Sequence, residues 1–161
     1  MSIEQKKRFP KKMLVLSFTS LALIYAIMLI GVYITSSFQG LSCPDWPLCP
    51  NGLGIPGPKY LFEHVHRMLV IITAGFIFTT AIYAYYRARS VSTPAIIAAI
   101  IVVIQIILGM VMVLSKLQPL LVASHLATGI SLFAMLLLTF IFSYKERKNS
   151  ITLKESKKKY P

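Results

Sequence analysis

Four long apolar segments, at about residues 13–35, 61–86, 94–115 and 120–144, are the feature that most limits how this chain can fold. A helix needs about 20 apolar residues to cross the hydrocarbon core of a bilayer. Inside the bilayer the backbone must satisfy its own hydrogen bonds, which segments of this length do as helices. They occupy more than half of the chain, so a single domain is predicted over residues 1–161. We expect an all-α integral membrane protein, an antiparallel up-down-up-down bundle of four transmembrane helices.

The net charge of +12 is distributed unevenly along this sequence. Of the 17 Lys and Arg residues, five precede residue 13, two lie between the second and third segments, and seven follow residue 144. These regions share one side of a four-pass topology, which the positive-inside rule places in the cytoplasm. We therefore expect a multi-pass plasma-membrane protein with cytoplasmic termini, a basic cytoplasmic tail at 145–161 and an extracytoplasmic loop at 36–60. The expected partner of these charges is the lipid bilayer, and no nucleic acid.

Histidines stand near the start of the second and fourth segments. His66 and His125 each lie about five residues inside a segment, at a similar depth of roughly 8 Å for a helical rise of 1.5 Å per residue. Two histidines at equal depth on non-adjacent helices can face each other across a bundle, and this predicts a bis-histidine site for haem iron. The alternative, a hydrogen bond or headgroup contact, is retained for His64. Zinc suits the site less well, because one carboxylate is near and the cysteines lie outside the membrane.

Glu63, His66 and Arg67 follow one another at helical spacing, so they share one face of the second segment. One interpretation is a Glu–Arg pair that reaches toward the surface. The other places Glu63 beside the haem edge as a base or electrostatic stabiliser, with Arg67 orienting it or meeting a propionate. In the third segment Gln105 is expected to form an interhelical hydrogen bond, with Gly109 allowing close packing.

The loop at 36–60 is rich in Pro and Gly, which favours a rigid, irregular cap over a helix. It contains the only two cysteines, Cys43 and Cys49, on the oxidising side of the predicted topology. Closing a ring of this size would constrain the unfolded chain by roughly 2–2.5 kcal/mol in the chain-entropy model. The pair could be a structural clip or a redox-active disulfide, and its spacing leaves both open.

Four blocks of the sequence together resemble the haem A synthase family: "GLSCPDWPLCPNG", "EHVHR" read as Glu-x-x-His-Arg, "QIILGMVMVLS" and "VASHLATG". Their order and spacing match that family over roughly residues 31–132, and the first block is the most specific. The resemblance implies an oxidoreductase that converts the C8 methyl of haem O into the formyl group of haem A. It further implies His66 and His125 as axial ligands of the haem iron, Glu63 as the essential carboxylate and a Cys43–Cys49 disulfide.

The same resemblance implies partners. Members of the family usually carry two four-helix halves in one chain, so for one bundle it implies a homodimer or larger oligomer, or a separate partner. Haem O is the implied substrate, haem b is a further possible ligand, and a haem O synthase is a possible neighbour.

Three alternatives stay open from the residues. A bis-histidine haem b electron carrier would need both histidines but not Glu63. A quinone-linked thiol oxidoreductase would use outer-face cysteines, although such proteins typically need a second pair. A structural assembly factor would bind no haem.

Overall fold

The chain forms four long helices in a computed structural model that describes residues 9–50 and 52–159. The helices are α1 (Lys11–Ser36), α2 (Leu61–Arg87), α3 (Ser92–Leu114) and α4 (Pro119–Lys159). Each of the four is long and apolar enough to cross a membrane. The predicted all-α membrane bundle is thereby confirmed.

The helices are arranged as a ring in which each packs against two neighbours. α1 contacts α2 and α4, and α3 contacts α2 and α4. Within the described ranges the diagonal pairs, α1 with α3 and α2 with α4, make no close backbone contact. The space along the bundle axis is therefore filled, or lined, by side chains alone.

Apolar packing fills the half of the bundle that contains the start of α1 and the end of α2. One buried cluster joins α1, α2 and α3 near Met13, Ala84 and Val91. A second joins all four helices further along, and its members are Ile24, Ala74, Ile77, Ala98, Val102, Leu132 and Leu136. A buried hydrogen bond between Ser20 and Thr80, 3.0 Å long, ties α1 to α2 in the same half. The opposite half has few fully buried apolar side chains and contains the polar groups described below.

At that opposite end, called here the loop end, α1 and α3 finish in the same way. The N–H of Gln39 donates to the carbonyl of Ile34, and the N–H of Leu117 donates to that of Met112, each spanning five residues. This is the Schellman arrangement, whose turning residue has a left-handed backbone. The turning residue is Phe38 at the end of α1, with φ of 57°, and Lys116 at the end of α3, with φ of 56°. Glycine is the usual residue at this position. These hydrogen bonds thus satisfy backbone carbonyls at both helix ends that would otherwise have no partner within the helix.

The helix boundaries differ from the expected segments most at the end of α4. The expected segment ended at 144, whereas α4 continues to Lys159. Apolar content located the membrane segment, but helix propensity determines where the helix ends. No Pro or Gly occurs between residues 130 and 159, and Lys and Glu are good helix formers. α3 begins at Ser92, two residues before Pro94, because a proline is tolerated in the first turn.

Candidate functional site

One level of the bundle, near the loop end, is composed of two histidines and two glycines from four different helices. His66 lies on α2 and packs against α1, where a Cβ atom at Gly31 would lie 3.3 Å from its Cε1. His125 lies on α4 and packs against α3, where a Cβ atom at Gly109 would lie 3.5 Å from its Cε1. His66 and His125 are also close enough to interact electrostatically. We call these four residues the histidine layer.

Each imidazole of the histidine layer retains a ring nitrogen without a protein partner. Nδ1 of His66 and Nδ1 of His125 are buried and form no hydrogen bond with the described residues. Buried polar atoms in folded proteins are usually paired, so such atoms indicate a bound group that completes the site. No cluster of three or more His, Cys, Asp or Glu that could hold a bare metal ion occurs within 9–50 and 52–159. Two imidazoles from diagonal helices suit a metal whose remaining ligands come from a flat macrocycle.

The peptide carbonyl of His125 is held by Gln105 on α3. The Nε2 of Gln105 donates to this carbonyl at 2.8 Å and also to the hydroxyl of Thr128. Gly129 lies beside it, where a Cβ would be 3.7 Å from Nε2, an ordinary contact. The interhelical hydrogen bond predicted for Gln105 is present, and it fixes the turn of α4 that contains His125.

The structure directs the carboxylate of Glu63 toward the Cys loop, residues 37–60. One oxygen accepts a hydrogen bond from the Ser42 hydroxyl at 2.7 Å and from the Cys43 N–H at 2.8 Å. The other oxygen receives Arg67 Nη2 at 2.6 Å. The two side chains are only 5% and 10% exposed, so this is a buried pair and not one that reaches out to solvent.

Arg67 extends the same contact into the ring between the cysteines. Its Nη1 donates to the carbonyls of Asp45 and Pro47, at 2.5 and 3.3 Å, and its Nη2 reaches the carbonyl of Cys43 at 3.5 Å. The guanidinium has five donors in a fixed fork, which suits several carbonyls and a carboxylate at once. Glu63 and Arg67 together therefore anchor the Cys loop to the first turns of α2.

Cys43 and Cys49 form a disulfide with Cα atoms 5.0 Å apart. Both residues are buried, at 0% and 3% exposure, although neighbouring loop residues such as Leu53 are exposed. A redox-active pair needs access for the attacking thiol, so burial favours the structural clip.

His64 is buried as well, with 7% exposure and an unpaired Nδ1. The hydrogen bond or headgroup contact expected for His64 from the sequence stays a prediction. Gly31 is the member of the histidine layer that sequence reasoning did not single out. The position of Gly31 in its helix could have indicated it, because Gly31 in α1 and Gly109 in α3 each lie five residues before the end of their helix.

Two surface depressions lie away from this layer. One, of about 300 Å³, lies among Phe9, Lys11 and Arg147. The other, of about 600 Å³, is an apolar groove between α2 and α3 that runs along Phe78, Tyr85 and Ile100. Neither depression is lined by the buried polar atoms without a partner that occur in the histidine layer. The histidine layer is therefore the candidate functional site.

Comparison with known proteins places these residues in a sequence family. The family COX15-CtaA, described as "Cytochrome oxidase assembly protein", matches residues 53–160. A protein of Lysinibacillus sphaericus named "Heme A synthase" is 33% identical over 118 residues, which cover 70% of this chain and 38% of that protein. A "Heme A synthase" of Shewanella oneidensis is 27% identical over 137 residues, and one of Listeria monocytogenes is 32% identical over 123 residues. The chain spans about two fifths of the length of these relatives.

Proposed function

The chain belongs to the COX15-CtaA family of cytochrome oxidase assembly proteins, and we propose that it acts in the membrane as a haem A synthase, oxidising the C8 methyl of haem O to a formyl group. The names of the relatives support this activity over the electron carrier and the thiol oxidoreductase. The conversion inserts an oxygen atom and needs an electron acceptor, so the proposal concerns where haem O binds and how it is held.

The observation that carries the proposal is the histidine layer. Two imidazoles from the diagonal helices α2 and α4 each have a buried ring nitrogen that no described protein atom satisfies. The glycine opposite each ring keeps the neighbouring helix close without filling the space beside the imidazole. His66 and His125 would bind the haem iron from opposite faces, as axial histidines do in cytochromes.

The chain's other polar groups would define the environment of the reacting methyl. Glu63 would supply a fixed negative charge near the histidine layer, which stabilises positive charge that develops as electrons are removed. Both of its oxygens already accept hydrogen bonds, which supports this electrostatic role more than transfer of a proton to Glu63. Arg67 would hold Glu63 and the loop in place, and the Cys loop would cap the site against water.

The setting proposed for this activity is the plasma membrane, with both termini cytoplasmic and the Cys loop outside. The uneven distribution of Lys and Arg supports that orientation. The homodimer or larger assembly expected from the resemblance stays a prediction, as does association with a haem O synthase.

The test is co-expression of the chain with a haem O synthase in a host that lacks haem A. Total haem is extracted with acid, and the b, o and a types are separated by chromatography. We expect haem A from the unchanged chain and none from His66→Ala or His125→Ala, since either change removes an axial ligand.

The matched control is Ser131→Ala, an exposed change on α4 below His125, which should retain the product. A chain that binds haem o but forms no hydroxylated or formyl product, alone and with the synthase, would contradict the proposal and favour the electron carrier.

A further inference from the structure

The apolar groove between α2 and α3 lies away from the histidine layer, at the end of the bundle where these two helices connect. Among the described side chains that line it, the phenol groups of Tyr85 and Tyr86 are the only polar groups. Along α3 the groove extends from Ile96 to Ile104, about 12 Å at 1.5 Å per residue. Half of a hydrocarbon core of roughly 30 Å is about 15 Å, so the groove spans most of one leaflet.

Small side chains at the floor of the groove account for its depth. Ala81 is 7% exposed and Ala99 is partly buried, whereas Ile82 and Ile100 beside them are more than half exposed. The two alanines therefore leave a gap between α2 and α3 that is open toward the bilayer. A hydrocarbon chain in this gap gains dispersion contacts with the floor and with both flanks.

Two arginines stand at the end of the groove nearest the connection between the helices. Arg87 is the last residue of α2 and follows Tyr86, and Arg89 begins the connection; both arginines are exposed. The guanidinium carbon of Arg89 lies 4.5 Å from the centre of the Tyr85 ring, which lines the groove. This cation–π contact places a positive charge on the wall of the groove.

The protein does not compensate the charge of these two arginines. Neither guanidinium forms a hydrogen bond or an ion pair with any residue within 9–50 and 52–159. Arg67 and Arg147, in contrast, donate to backbone carbonyls. The sequence has no Asp or Glu from residue 64 to residue 145. The N–H donors of Arg87 and Arg89 are thus available to phosphate oxygens, which arginine binds in a bidentate manner.

An apolar groove of about one leaflet that ends at two uncompensated cations matches the shape and charge of an anionic phospholipid. We propose that the groove binds one acyl chain of such a lipid and that Arg87 and Arg89 bind its phosphate. A zwitterionic lipid fits the groove equally well, but its own cation already neutralises its phosphate. In the orientation proposed above, the site faces the cytoplasmic leaflet, whose surface potential is negative because of anionic lipids.

The test is native mass spectrometry of the full chain, purified in detergent and freed of lipid. The chain is titrated separately with dioleoyl phosphatidylglycerol and with dioleoyl phosphatidylcholine, which have identical acyl chains and differ in net charge. We expect the first molecule of phosphatidylglycerol to bind about tenfold or more tightly than that of phosphatidylcholine, because each basic residue near the headgroup adds to the attraction.

The double variant Arg87→Gln with Arg89→Gln removes both charges from the groove. We expect it to bind the two lipids with equal affinity. The matched control is Lys11→Gln with Lys12→Gln, which removes two exposed charges at the start of α1 and should retain the preference.

A second variant tests the acyl chain separately from the headgroup. Ala99→Phe fills the floor of the groove and retains both arginines, so we expect it to weaken the binding of both lipids severalfold. Ala127→Phe, an exposed change on α4 outside the groove, should bind both lipids as the unchanged chain does. If Ala99→Phe does not fold, the arginine variant still decides the question.

Equal affinity of the unchanged chain for the two lipids would overturn the inference, as would a preference that survives in the arginine variant. Loss of the preference in the lysine control as well would overturn it in favour of diffuse attraction to all basic residues. A dimer that binds neither lipid would show that a second copy of the chain covers the groove. The experiment contains no haem, so each of these failures leaves the proposed function standing.

Discussion

At the residue scale, the contact between Gly31 and His66 is tighter than that between Gly109 and His125. A Cβ at Gly31 would lie 3.3 Å from the His66 ring, whereas one at Gly109 would lie 3.5 Å from the His125 ring, an ordinary contact. The first ring must move by a few tenths of an ångström to accept a methyl group, and the second need not. The two halves of the site therefore differ in their tolerance of a larger side chain.

We predict that Gly31→Ala weakens haem binding severalfold, while Gly109→Ala changes it little. The physical reason is displacement of the His66 ring from its position against α1. Titration of the purified chain with haem, followed by the Soret band, gives both dissociation constants. Gly75→Ala is the control, because nothing lies within 4 Å of a Cβ there. Equal weakening by the Gly31 and Gly109 changes would contradict the geometry.

The buried pair of Glu63 and Arg67 predicts unequal effects of single and double changes. Arg67→Ala leaves a buried carboxylate without its cation, which typically costs about 3–5 kcal/mol of unfolding free energy. Glu63→Gln with Arg67→Gln leaves no unpaired charge and should cost less. Reversible unfolding of the three proteins in the same detergent measures this difference. A double variant as unstable as Arg67→Ala would show that the loop contacts, and not the ion pair, provide the stability.

At the scale of the element, the residue that caps α3 has a backbone conformation that lowers the stability of the fold, and one substitution could relieve it. Lys116 has a left-handed backbone, which costs a non-glycine residue roughly 1 kcal/mol. We predict that Lys116→Gly raises the unfolding free energy by about that amount, less a few tenths for added chain entropy. Lys116→Ala is the control, since it removes the side chain and retains the left-handed cost. Destabilisation by Lys116→Gly would show that the lysine side chain makes a contact of its own.

The existence and order of the helices could be predicted from the sequence because apolar length alone determines a membrane helix. The C-terminal extent of α4 could not, since a polar continuation of a helix leaves no trace in hydropathy. Within the site, His66 and His125 were predicted because both depths follow from the helix starts. The contacts of Glu63 with Ser42 and Cys43 were not, because they depend on the path of an irregular loop that periodicity does not describe. Gly31 was not predicted because no polar residue precedes it by one helical turn, as Gln105 precedes Gly109.

At the scale of the whole molecule, the distribution of basic residues predicts which end of the bundle faces the cytoplasm. Leu53 in the Cys loop is 77% exposed, and Ser90 between α2 and α3 is exposed at the opposite end. We predict that Leu53→Cys reacts with a membrane-impermeant maleimide on intact cells. Ser90→Cys should react only after permeabilisation. The native cysteines do not interfere, since they are paired in a disulfide. Labelling of Ser90→Cys on intact cells, with Leu53→Cys labelled only after permeabilisation, would show that the topology is the opposite of the predicted one.

The length of α4 has a practical consequence for imaging. Its 41 residues correspond to about 60 Å at 1.5 Å per residue, twice the roughly 30 Å of a hydrocarbon core. About half of the helix therefore extends beyond a hydrocarbon core of that thickness and is continuous with the turn that contains His125. A small helical bundle inside a micelle offers little for aligning particles in electron cryo-microscopy. A folded protein joined in helical register after Lys159 would give each particle a fiducial mark that is connected through one helix to the turn that contains His125.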